Sequence, residues 1–363
     1  MLDALRNRHT DPSVEKSVDD MNTIRNNTPR MPYKDFTPSQ KAGQRLMVGF
    51  EGTRFGPELK HLISTLKVGG IILFAENIAD PEQVRNLCTA AQQCAASCGQ
   101  PPLFIAVDQE GGKVARLRPP FTEFPGNPHM KTRRDAVHFA DVTARELSSV
   151  GFNMNMAPVL DVALPGPEGV MKDRSFGDDP IRVTELGMAV IRGLQAGGVM
   201  AVAKHFPGIG RTRLDSHLDL PFLEATPRQL EACDMPPFEA AIREGTAGIM
   251  LSHICYRRLD EVWPASLSRK ICAELLRKKM GYRGVVMTDD LDMGAVAAHF
   301  DTPTTVHRVL QAEVDIALIC HKGPAIETAF EEILRIHEDN PDLAAKGMDA
   351  LTRIMKLKDL YLR

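Results

Sequence analysis

One pattern constrains this 363-residue chain more than any other. Short apolar runs rich in β-branched residues recur along it, each followed by a longer stretch with helical periodicity. The runs are Leu46–Phe50, Gly70–Phe74, Leu103–Val107, Phe152–Met156, Met200–Ala203, Gly248–Ser252, Gly284–Thr288 and Asp315–Cys320. The helical stretches are clearest at PEQVRNLCTAAQQCAASC, RRDAVHFADVTARELSSV, TPRQLEACDMPPFEAAIREG and SRKICAELLRKKM. Eight strand-then-helix units in succession predict an α/β protein, a single (β/α)8 barrel of the TIM type. A doubly wound open sheet competes with this, but no GxGxxG follows the first run and eight units are many for one open sheet. Residues 36–363 are assigned to the barrel, ending in helices packed on its outside. Residues 1–35 form a polar N-terminal arm, interrupted by Asn26–Asn27, Pro29 and Pro32.

Charge and cysteine usage remove several classes. Lysines and arginines are spread along a chain of net charge −3, so no basic patch suggests nucleic acid. No apolar stretch is long enough for a membrane span, and the polar N-terminus lacks the apolar segment of a secretory signal. The seven cysteines form no CxxC pair and fit free core thiols in a reducing compartment. The expectation is a cytoplasmic monomer or weak oligomer with a small-molecule substrate.

In such a barrel the reacting groups sit at the C-terminal ends of the strands. Asp108 and then Arg116 follow the third run. Asp161 and Arg174 follow the fourth, Lys204 and His205 the fifth, His253 the sixth, and Asp289–Asp290 the seventh. Carboxylates (Asp108, Asp289) mixed with donors (Arg116, Arg174, Lys204, His205) suit a ligand dense in hydroxyls, such as a sugar ring. Glycoside cleavage needs a carboxylate beside the anomeric carbon and a separate acid for the leaving oxygen. Asp289 fits the first role. Asp290 should point away, and with Asp292 it caps the next helix or holds the loop. His205 and His253 also fit buried structural histidines, His253 more so because no step needs it. Met154, Met156 and Met200 read as core.

The segment Lys204-His205-Phe206-Pro207-Gly208-Ile209-Gly210 and, after four residues, Asp215-Ser216-His217 resembles the signature of glycoside hydrolase family 3 β-N-acetylglucosaminidases. The resemblance extends through Val107–Gly112, Asp173–Gly177, Pro264–Ser268 and Gly284–Met293, covering roughly residues 40–340. It implies Asp289 as nucleophile, His217 as acid/base assisted by Asp215, and Asp108, Arg116, Arg174, Lys204 and His205 as the groups that hold N-acetylglucosamine. The implied substrate is a terminal non-reducing β-linked N-acetylglucosamine, on anhydro-N-acetylmuramic acid or its muropeptide, with no metal or cofactor. Two positions depart from the pattern: Ile209 stands where the family has a second histidine, and Arg211 where it often has an acid. Three other readings stay open. One is a metal-dependent barrel hydrolase using Lys204, His205, His253 and Asp289. Another is a phosphorylase, with Arg211 and Arg213 attracting phosphate. The last is a sugar-binding barrel without catalysis.

Overall fold

The computed structural model describes residues 33–163, 169–212 and 220–362. Eight parallel strands close into a barrel in sequence order: β1 (Leu46–Val48), β2 (Gly70–Leu73), β3 (Phe104–Val107), β4 (Met154–Asn155), β5 (Met200–Phe206), β6 (Gly248–Leu251), β7 (Val285–Asp290) and β8 (Ile316–Ile319), with β8 returning to β1. The expected (β/α)8 architecture is therefore present, and the open sheet is excluded by the β1–β8 pairing. Each expected run coincides with a strand, and six of the eight contain theirs whole. β5 reaches further than the run suggested, so Lys204 and His205 lie within it, and β7 likewise includes Asp289 and Asp290.

The helices are α1 (Pro38–Gly43), α2 (Pro57–Ser64), α3 (Pro81–Ser97), α4 (Arg133–Ser149), α5 (Pro180–Ala196), α6 (Pro236–Glu244), α7 (Lys270–Lys279), α8 (Thr302–Gln311), α9 (Pro324–Asp339) and α10 (Pro341–Tyr361), leaving shorter turns unlabelled. Half of the ten begin on a side-chain cap followed by proline. Asp80, Asp179, Asp301 and Asn340 accept from main-chain amides in the first turn, and Pro lies at the first or second helical position. The stretch expected as one helix at residues 226–245 is broken. A short turn and a π-wound segment (Leu230–Asp234) precede α6, because Pro236 and Pro237 lack the amides needed to continue an existing helix.

Strand alternation divides the core in two. Met47, Ile72, Phe104, Met154, Met200, Val202, Met250, Val285, Met287 and Leu318 fill the barrel interior. Val48, Ile71, Ile105, Ala201, Ile249, Val286 and Ala317 face the helix ring. Met154, Met156 and Met200 are core residues as expected, and flexible thioethers suit a tapering interior. One expectation changes. α10 does not pack only on the outside: its Ile354 and Leu357 join the interior cluster. Buried Lys358 donates to Gln44 Oε1 at 2.7 Å and to the Gly69 carbonyl at 2.8 Å. The N-terminal mouth is thereby plugged, and the opposite mouth holds the site. No helix among the described residues is long and apolar enough to cross a membrane.

Candidate active site

The centre of the upper mouth is Lys204, near the end of β5. Its ammonium is buried and lies 2.7 Å from both Asp108 Oδ1 and Glu110 Oε1. Burial alone would lower its pKa, but the two carboxylates outweigh it and the value is raised. Asp108 directly follows β3. A tight antiparallel turn, Gln109–Gly111 with Val114–Ala115, then places Glu110 beneath it. The turn requires glycine: Gly112 has φ +65°, and a Cβ there would lie 3.0 Å from the Pro125 carbonyl oxygen. Gln109 Oε1 accepts from the amides of Arg116 and Leu117, which fixes the segment presenting Arg116. The Arg116 guanidinium reaches Asp108 Oδ2 at 3.4 Å and lies over the Phe74 ring, 5.4 Å from its centroid. Its Nε is buried with no partner among the described residues.

Arg174 grips Glu110 with two hydrogen bonds, 2.7 Å to Oε1 and 3.0 Å to Oε2. Burial tends to raise the Glu110 pKa, yet Lys204 and Arg174 together bring it down to about 2. Asp173, the residue before Arg174, pairs with Lys113 at the surface. His205 is held from behind: its Nδ1 lies 2.8 Å from Oδ2 of fully buried Asp161, so Nδ1 carries the hydrogen. Its Nε2 faces Arg174 Nη2 at 3.5 Å. Asp161 also accepts from the Ile209 amide at 2.8 Å.

Asp289, near the end of β7, is partly open to the mouth. Burial is the largest influence on it and acts upward. His205, the Asp290 amide and Lys204 overcome it and hold the carboxyl below its ordinary range. Asp290 turns away, as alternation required. Its Oδ1 accepts from the Cys320 and Asp292 amides, so it ties β7 to the end of β8 rather than capping a helix.

The fold therefore gathers Asp108, Arg116, Arg174 and Lys204 into one hydrogen-bonded cradle, with His205 against Arg174 and Asp289 under the influence of His205 and Lys204. Asp215 and His217 lie outside the described residues, as does Arg213. Sequence reasoning missed the importance of Glu110 and Asp161. Glu110 is two residues from Asp108 in a turn that alternates sides, and Asp161 is an acid just beyond a strand end; both signals were legible but ambiguous with solvated loop acids. The two departures also find explanations. Ile209 is buried, its amide bound to Asp161. Arg211 Nε lies 2.7 Å from Oδ2 of fully buried Asp234. Burial, partly offset by Arg211, raises the Asp234 pKa to about 6.

Fold and site together define a parallel barrel whose C-terminal mouth carries an ionised strand-end carboxylate beside an ion-paired cradle of donors. Residues 37–357 match the glycosyl hydrolase family 3 N terminal domain, and the chain belongs to that family. It is 38% identical to Beta-hexosaminidase A of Pseudoalteromonas piscicida over 89% of this chain and 61% of that protein. It is 36% identical to a Beta-hexosaminidase of Alkalilimnicola ehrlichii over 79% of this chain and 84% of that one. A family 3 beta-N-acetylglucosaminidase structure from Paenibacillus sp. str. FPU-7 superposes with a TM-score of 0.86 at 35% identity, covering 90% of this chain and 63% of that one. The chain thus spans less than two thirds of the Pseudoalteromonas and Paenibacillus proteins.

Proposed function

We propose that this chain is a retaining exo-β-N-acetylglucosaminidase that releases a terminal non-reducing N-acetylglucosamine. The observation that carries the reading is Asp289, a strand-end carboxylate kept ionised at the mouth, as a nucleophile must be. The names of the relatives support the substrate class. In the first step an Asp289 oxygen bonds to the anomeric carbon while the glycosidic bond breaks. His217, supported by Asp215, gives its proton to the leaving oxygen. In the second step His217 takes a proton from water, whose oxygen displaces Asp289 and leaves the configuration retained. Asp108 accepts from ring hydroxyls, while Arg116, Arg174, Lys204 and His205 donate to or orient them. Because Lys204 and Arg174 are locked by Glu110, the cradle is pre-formed and little ordering remains to be done on binding.

The preferred aglycone, anhydro-N-acetylmuramic acid or its muropeptide, and the cytoplasmic setting follow from the resemblance to cell-wall-recycling members. The competing chemistries gain less support. Arg211, invoked for phosphate, is paired with Asp234. Both ring nitrogens of His253 and the Nδ1 of His205 are engaged by protein groups, which leaves little of the supposed metal set free to ligate. The test is mechanism-based labelling with a 2-deoxy-2-fluoro-type sugar followed by peptide mapping. Label on Asp289 and retained product anomer are expected; label on another residue, or a sugar-1-phosphate formed when phosphate is added, overturns the reading.

A further inference from the structure

Two sequence features have no role in that scheme: His253, and the Pro264–Ser268 segment. The fold joins them. His253 follows β6 and is buried. Its Nε2 lies 2.8 Å from the main-chain oxygen of Asp290, which can only accept, so Nε2 carries the hydrogen. Its Nδ1 lies 2.7 Å from Oγ of fully buried Ser266. On a neutral ring with Nε2 protonated, Nδ1 is a lone pair and the serine hydroxyl donates to it. Burial, the largest influence on this ring, favours the neutral form over the opposing pull of Asp289 and the nearby main chain. Ser266 is itself fixed, since its amide donates to the Ser252 carbonyl at 3.0 Å and the Ala265 amide to that of Ile254 at 2.9 Å.

What the ring holds is the residue next to the nucleophile. The Asp290 main-chain oxygen accepts from His253 and from the Met293 amide at 3.1 Å. The Asp290 amide donates to Asp289 Oδ1 at 2.9 Å, and its own carboxylate is tied to the end of β8. Ser266, His253, Asp290 and Asp289 thus form one continuous chain of hydrogen bonds. Neither nitrogen of His253 is free to exchange a proton with a substrate.

We propose that His253 is a positioning residue: fixed by Ser266 as the Nε2–H imidazole, it locks the Asp290 main chain and, through the Asp290 amide, the Asp289 carboxylate in its attacking orientation. This rests on the reading of Asp289 as nucleophile. The test compares full-length His253→Leu, His253→Gln and Ser266→Ala with wild type on 4-nitrophenyl N-acetyl-β-glucosaminide, and measures the rate of labelling at Asp289. A carboxylate displaced by an ångström loses about a hundredfold, so His253→Leu should lose that much in kcat and in labelling rate with KM within about threefold. His253→Gln, which keeps an N–H donor, should recover about tenfold of the loss. Unchanged kcat in folded His253→Leu, or a glutamine no better than leucine, overturns the proposal. If the leucine variant does not fold, long-range 1H–15N spectra of wild type decide, with His253→Gln supplying the assignment. A neutral Nε2–H ring at pH 7.5 is expected, and an Nδ1–H tautomer or an imidazolium at that pH overturns it. Label on a residue other than Asp289 breaks the nucleophile reading instead, whereas label on Asp289 with normal kcat in His253→Leu breaks only this inference.

Discussion

The two mouths of the barrel both carry buried ion clusters, yet only one is shaped to act on a ligand. At the lower mouth Asp315 is fully buried, accepts from the Val286 amide, and pairs with Arg277 at 2.7 Å and Arg353 at 2.8 Å, while Arg45 donates to the Val314 and Asp315 carbonyls. α10 then covers the end, bringing Lys358 onto Gln44 and Gly69. At the upper mouth Lys204, Glu110 and Arg174 are equally tightly paired, but Asp108 and Asp289 remain partly open. Buried charge therefore does not by itself distinguish a site from a structural lock. The distinction lies in whether acceptors and donors at the edge of the cluster still face solvent. Pairing below closes the barrel; pairing above stiffens groups that reach outward.

This comparison can be broken by substitution. The largest effect is expected at the open carboxylate: Asp289→Ala should reduce kcat on an aryl N-acetylglucosaminide by at least about 10⁴-fold with the melting temperature nearly unchanged. Substantial turnover by that variant would assign the nucleophile elsewhere. His217→Ala should lose about 10²–10⁴-fold on substrates with poor leaving groups and far less on 2,4-dinitrophenyl glycosides. Equal losses on both would remove the acid/base role. The lower cluster should behave in the opposite way. Asp315→Ala strands the positive charges of Arg277 and Arg353 and should cost about 3–5 kcal/mol in urea unfolding. The enzyme that remains folded should keep its kcat and KM, and a selective loss of kcat would show that the two mouths are coupled.

Much of this arrangement was legible in the sequence, for physical reasons that differ by region. The strands were visible because a buried parallel strand must be apolar on both faces, as in Gly70–Leu73 and Phe104–Val107. The helix from Pro81 was visible through its periodicity, and the structure caps it with Asp80. The strand-end rule located Asp108, Lys204, His205 and Asp289, but could not say what each would touch. Glu110 and Asp161 were undervalued because their partners, Arg174 at 64 positions' separation and His205 at 44, become neighbours only when β3, β4 and β5 are adjacent. The plug formed by α10 was hidden for a similar reason. Its amphipathic pattern shows that a face is buried, not that the face enters the barrel instead of lying against the ring. The roles of Asp215 and His217 rest on the family resemblance, since both lie outside the described residues.

The smallest effect expected concerns pH, and it separates the clamp from the chemistry. Glu110 has a folded pKa of about 2, below the ordinary 4.5, because Lys204 and Arg174 outweigh its burial. A depressed carboxylate contributes stability that is complete above the unfolded value and is lost as pH falls toward the folded one. The window therefore opens near pH 4.5 and closes near pH 2. Glu110→Gln keeps the shape but removes the titrating charge, so wild type should be the more stable at pH 6. By pH 3 that advantage should narrow by about 2 kcal/mol in urea midpoints followed by fluorescence. A difference that stays constant down to pH 3 would mean that Glu110 is not held ionised by the cradle. In that case the stiffness of the upper mouth would have to come from Asp108 and Lys204 alone.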